Sequence, residues 1–223
     1  MLRVLGLFIG VIISHYYDAQ IMPMSQSTEW KVISNNDTLL NPWVGGLNAP
    51  QISTIDLNND QIEDLFIFDR TGNTLLTYIN NGSNYVYAPQ YEEQFPETFQ
   101  DWVLLRDYNG DNKKDIFCSV SAGLTVWKNT SSSNQLSFNE VTNPYLTSFQ
   151  WSGAWNLYVP KTDIPDINDI DGDGDLDVLT FGIGGVTVEY HQNQSADLGY
   201  GADSLIYDLK NTCWGHFRES GLT

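Results

Sequence analysis

The stretch DIDGDGDLD, residues 169–177, sets five aspartates at alternate positions: Asp169, Asp171, Asp173, Asp175 and Asp177. Carboxylates ~5 Å apart at an effective dielectric near 20 repel by about 3 kcal/mol per pair, so the loop calls for a compensating positive charge. Two further stretches share the layout, DLNNDQIED from Asp56 and DYNGDNKKD from Asp107. Oxygen donors at positions 1, 3 and 5, a main-chain carbonyl at 7 and a further carboxylate at 9 form the ligand set of a hard divalent cation. The candidate metal ligands are therefore Asp56, Asn58, Asp60, Ile62 and Asp64 in the first loop and Asp107, Asn109, Asp111, Lys113 and Asp115 in the second. In the third they are Asp169, Asp171, Asp173, Asp175 and Asp177. Ile62, Lys113 and Asp175 serve through their carbonyls, which leaves the Asp175 carboxylate as a tuning charge.

Calcium suits this set best, because it accepts six to eight oxygens in flexible geometry where magnesium keeps water and a strict octahedron. No His or Cys lies in any of the loops, which argues against zinc and softer metals. An EF-hand would close with a bidentate Glu at position 12 between helices. Position 12 is instead Ile67, Cys118 and Thr180, and the flanks read as strands. Position 6 calls for a positive φ and favours glycine, which ranks the third loop (Gly174) above the second (Asn112) and the first (Gln61). Lys113 and Lys114 also crowd the second loop. Up to three calcium ions are expected, held most tightly between Asp169 and Asp177.

The elements that must position these loops recur with them. Each loop runs into an apolar strand and then a glycine sixteen residues after its first Asp, at Gly72, Gly123 and Gly185. A second strand-like run follows with an aromatic and then an amide: Tyr78 and Asn80, Trp127 and Asn129, Tyr190 and Asn193. The short runs PQISTI, WVLL and IPDIN precede the loops. Loop starts at Asp56, Asp107 and Asp169 lie 51 and 62 residues apart, room for one four-stranded antiparallel sheet each, which is the spacing of propeller blades. The chain is thus read as all-β, with about three β-propeller blades, units starting near residues 50, 101 and 163, and an incomplete propeller as the product. A closed ring takes at least four blades, so further blades of a longer chain are expected to complete it.

These residues resemble the FG-GAP/VCBS repeats, related to the calcium-binding blades of integrin alpha-type propellers. The pattern D-x-[DN]-x-D-G-x-x-D-[LIV] is met best by the third unit, and Phe181-Gly182 with Gly184-Gly185 matches the motif that names the family. The resemblance spans roughly residues 50–200 and implies blade architecture and calcium. It implies little about function, since such propellers serve adhesion, ligand binding and as appendages of enzymes.

The three acidic windows hold 12 of the chain's 28 acidic residues, so the formal charge of −18 is largely local; its sign disfavours nucleic acid as a partner. Arg3, the apolar run of residues 4–13 and the polar stretch after it have the layout of a secretory signal peptide over 1–19, cleaved after Ala19. No later segment is apolar enough for a membrane span, so residues 20–223 are expected to be secreted or displayed at the cell surface. Cys118 reads as a buried apolar residue. No nucleophile elbow, phosphate loop or zinc-protease motif is present, which favours a binding or adhesion module over an enzyme; the rival is a propeller-linked enzyme acting on extracellular polysaccharide. The expected partner is an extracellular protein or carbohydrate ligand. Trp151, Trp155 and Tyr158 could stack on sugar rings, but packing between blades is the preferred reading for them.

Overall fold

The computed structural model describes residues 27, 29–132 and 135–219. The expected leader, residues 1–19, lies outside them. The chain divides into two compact units, Met1–Pro42 and Trp43–Thr223. In the first, β1 (Ile33–Ser34) and β2 (Asp37–Thr38) form a short hairpin. Its turn residues Asn35 and Asn36 have φ of 52° and 68°, the left-handed pair that a two-residue hairpin favours and that asparagine tolerates.

The second unit holds three sheets. The first is β3 (Pro50–Ile55), β4 (Asp64–Asp69), β5 (Thr74–Asn80) and β6 (Tyr85–Tyr87), antiparallel and in sequence order. The second repeats this with β7 (Val103–Arg106), β8 (Asp115–Val120), β9 (Gly123–Asn129) and β10 (Phe138–Glu140). The third departs from the four-strand expectation. Its hairpin β11 (Thr147–Gln150) and β12 (Gly153–Asn156) precedes the repeat strands β13 (Asp166–Asn168), β14 (Asp177–Phe181), β15 (Val188–Asn193) and β16 (Tyr207–Asn211), and the order is β12-β11-β16-β15-β14-β13. The chain enters this sheet at its outer edge before crossing to the inner one, so β11 runs parallel to β16, Ser148 opposite Tyr207. The other pairs are antiparallel, as in the first two sheets.

The middle sheet is buried on both faces, which explains why IFCSV reads as a continuous apolar run rather than an alternating one. Phe117 points towards the third sheet and packs in a cluster with Trp102, Leu124, Ile167, Val178 and Tyr207. Ile116 and Cys118 point the other way, towards Ile55, Phe66 and Phe68 of the first sheet, with Phe95 filling the wedge. Cys118 is fully buried with a free thiol, and burial pushes that thiol up to about 12. Charged clamps reinforce the stacking: Arg106 Nε donates to the Ile167 carbonyl (3.0 Å) and Arg70 Nε to that of Asp101 (2.6 Å). All three acidic loops join the first strand of a blade to its second, and therefore emerge at the same end of the stack.

Because Phe117 is fully buried between two sheets, Phe117→Ala should cost about 3–5 kcal/mol in urea unfolding. Ile52→Ala, on the open face of the first sheet, should stay within about 0.5 kcal/mol.

Candidate metal centre

Each loop is wound around its first aspartate. Asp169 accepts the N–H groups of Gly172 (2.7 Å) and Gly174 (3.1 Å); Asp107 those of Gly110 (2.8 Å) and Asn112 (2.9 Å); Asp56 those of Asp60 (3.1 Å) and Gln61 (2.9 Å). The winding requires left-handed backbone at two places. Position 6 has the expected positive φ in every copy, at Gln61 (69°), Asn112 (64°) and Gly174 (99°), and position 4 has it as well, at Asn59 (57°), Gly110 (72°) and Gly172 (85°). The later turn is left-handed at Asn73, Ala122 and Gly185. Of the three glycines expected there, only Gly185 therefore supplies the positive φ itself.

The ninth residue has a role that the spacing alone did not show. Asp64, Asp115 and Asp177 are fully buried at the start of the second strand. One oxygen of each accepts the N–H of the loop's second residue: Leu57 (2.9 Å), Tyr108 (3.1 Å) and Ile170 (2.9 Å). The other accepts the N–H of the repeated amide residue at the end of the third strand: Asn80 (2.8 Å), Asn129 (2.7 Å) and Asn193 (2.8 Å). That amide then continues the chain of bonds, its side-chain oxygen accepting from Gly82, Ser131 or Ser195. The aspartate is thus a latch between loop and strand, and the recurrence of Asn after the aromatic was its sequence signal.

The loops differ in what they bring together. In the third, carboxylate oxygens of Asp169, Asp171 and Asp177 lie within 4.8 Å of one another, the one such group among the described residues. No described salt bridge reaches it; Gln192 Nε2 donates to Asp171. Asp173 instead accepts the N–H of Asp175 (3.0 Å). In the first and second loops position 3 is an amide that bonds its neighbour, Asn58 Nδ2 to Asp60 (2.9 Å) and Asn109 Nδ2 to Asp111 (3.4 Å). Ile62 and Lys113 donate their N–H groups to Asp60 and Asp111 (2.8 and 2.9 Å). The Lys113 ammonium reaches away to the Ser131 carbonyl (2.8 Å). Asp175, expected as a tuning charge, has a buried side chain that accepts the Ala196 N–H (2.9 Å), with the other oxygen unpaired.

Burial pushes Asp115 and Asp175 up to about 6, against the opposing pull of their backbone hydrogen bonds. Asp64 and Asp177 are raised for the same reason. An oxygen-only trio beside buried, costly carboxylates concentrates a repulsion that burial aggravates and that a hard cation would offset.

Two other groups stand outside these loops. His191, fully buried, pairs its Nδ1 with Ser148 Oγ (2.9 Å), and its Nε2 lies 3.7 Å from Glu189. Sequence spacing could not bring together residues 43 apart. Ser148 is itself only 1% exposed, so this row offers no accessible nucleophile. The reading of Trp151 and Trp155 as packing between blades is overturned: they are 81% and 60% exposed, because the β11–β12 hairpin extends the sheet edge rather than inserting between sheets.

Fold and site together define an all-β repeat protein whose blades carry acidic, oxygen-donor loops at one end. Residues 107–180 match the family model described as FG-GAP-like repeat, so the chain carries FG-GAP-like repeat sequence from the second loop through β14. No curated protein and no solved structure matches it.

The latch and the trio separate by mutation in metal-free protein. Asp115→Ala strands two buried N–H groups and should cost about 1–3 kcal/mol for each, whereas Asp171→Ala should stay within about 0.5 kcal/mol in denaturant unfolding. The pH dependence follows from the raised carboxylates. The folded state binds more protons than the unfolded one between the ordinary value of 3.8 and about 6. Metal-free protein should therefore melt at higher temperature as pH falls from 7.5 towards 5. Asp69, held below 3.8 by backbone hydrogen bonds, opposes this only at lower pH. Asp175→Asn, which keeps the bond to Ala196 without the charge, should flatten the rise.

Proposed function

We propose that the chain is a calcium-binding module of an exported protein, acting through binding rather than catalysis. The observation that carries this reading is the convergence of Asp169, Asp171 and Asp177 with no ion pair to them among the described residues. These three would hold the ion, with Asp173 and the Asp175 carbonyl next in the loop; calcium would neutralise the cluster and fix the loop between β13 and β14. The first and second loops bind more weakly, because Asn58 and Asn109 replace a carboxylate and are engaged by Asp60 and Asp111. With Kd near 10⁻⁴ M and roughly millimolar extracellular calcium, a site stabilises the fold by about 1.4 kcal/mol, a structural effect in scale.

Export rests on the leader-like N-terminus, and among the described residues no helix is long and apolar enough to cross a membrane. The ligand is an extracellular protein or carbohydrate; nucleic acid is disfavoured by the charge of −18. On this binding reading, and against the rival polysaccharide-active one, incubation with a polysaccharide panel should release no reducing ends.

Calcium added to chelator-treated protein should raise the melting temperature by several degrees, and Asp171→Ala should abolish most of the rise while leaving the metal-free melt in place. A wild-type melt indifferent to millimolar calcium would sink the proposal.

A further inference from the structure

At the end of the third blade remote from the acidic loop, the β11–β12 hairpin and the Gly182–Thr187 turn enclose a cavity of about 460 Å³, within the range of small-molecule sites. Trp151, Trp155 and Tyr158 form its aromatic side; Gln150, Glu189 and Arg218 bring polar groups to it. Three features mark it as built for a ligand. Trp151 sits at the hairpin tip with φ of 52°, a left-handed conformation that costs a bulky residue about 1–2 kcal/mol, and the cost places an indole in solvent rather than in a core. The Glu189 carboxylate lies over Gly182, where an added Cβ would meet its Oε1 at 2.6 Å, so the glycine of the Phe181-Gly182 pair makes room for it. Behind Glu189, the buried Nε2 of His191 faces that carboxylate at 3.7 Å, too far for a hydrogen bond.

We propose that this cavity binds a neutral saccharide. A pyranose ring carries C–H groups on one face, which suit the negative face of an indole, and a rim of hydroxyls that both donate and accept. Glu189 accepts from hydroxyl donors, and Arg218 and the amide of Gln150 donate to oxygen. Glu189 and Arg218 are the only charged residues of the lining and cancel formally. A pocket without net charge in a chain of −18 selects an uncharged sugar over a uronate. The proposal narrows the ligand class left open above but does not need the calcium site, which lies across the length of β14.

The test is titration of full-length protein with cello-, xylo-, manno- and malto-tetraose and with tetragalacturonate, read by tryptophan fluorescence and calorimetry. Saturable binding of at least one neutral tetraose is expected, with tetragalacturonate weaker. Trp155→Ala and Trp151→Ala, both at exposed positions, should weaken it by roughly tenfold, and Gly182→Ala, which displaces Glu189, by roughly threefold. Asp171→Ala should bind the sugar like wild type while losing the calcium response, which keeps failure of one proposal distinct from failure of the other. No saturation by any neutral tetraose at millimolar concentration overturns the proposal. So does unchanged affinity in both tryptophan variants, or a concentration-dependent dimer that Trp155→Ala dissolves without any sugar binding.

Discussion

The buried aspartate at the start of each second strand, Asp64, Asp115 or Asp177, is the contact on which each repeat turns. A carboxylate removed from water is costly unless its lone pairs are met, and here backbone N–H groups from two separate segments meet them. That requirement draws the acidic loop back against the end of the third strand and fixes where its remaining side chains project. In the third repeat the same carboxylate also stands within the Asp169–Asp171 group. One residue therefore closes the loop and brings negative charge to the place where a cation would be held.

The stacked sheets supply the rigidity this requires. With β8 buried on both faces, Phe117 facing one neighbour and Ile116 with Cys118 the other, the middle blade cannot shift without opening two cores. Because every blade is wound alike, its two ends acquire different chemistry. One collects carboxylates in loops; the other, in the third blade, collects exposed aromatics around a glycine turn. The extra β11–β12 hairpin accounts for this second character, since among the described residues no equivalent strands are attached to the first two sheets.

Differences among the repeats follow from single substitutions. Replacing a carboxylate by an amide at position 3 lets Asn58 and Asn109 satisfy position 5 internally, while Asp171 has no donor to offer Asp173. Gln61 and Asn112 adopt the left-handed backbone that Gly174 takes more readily, so the third loop combines the greatest charge with the least backbone strain.

Much of this was legible from residue order alone: three repeats, their strands, the left-handed sixth position and the family resemblance. All are local or recur, and recurrence turns a weak pattern into a firm one. Residues Asp64, Asp115 and Asp177 were visible as conserved places in the repeat, but their latch function depends on an N–H some fifteen residues further on. The parallel seat of β11 beside β16, the exposure of Trp151 and Trp155, and the Ser148–His191 pair belong to a segment present once, so no repetition could announce them. Such contacts between distant, single-copy segments are set by how sheets stack and edges pair. Amino-acid order determined the loops and the blades; tertiary structure alone decided which carboxylates converge and which aromatics remain in solvent.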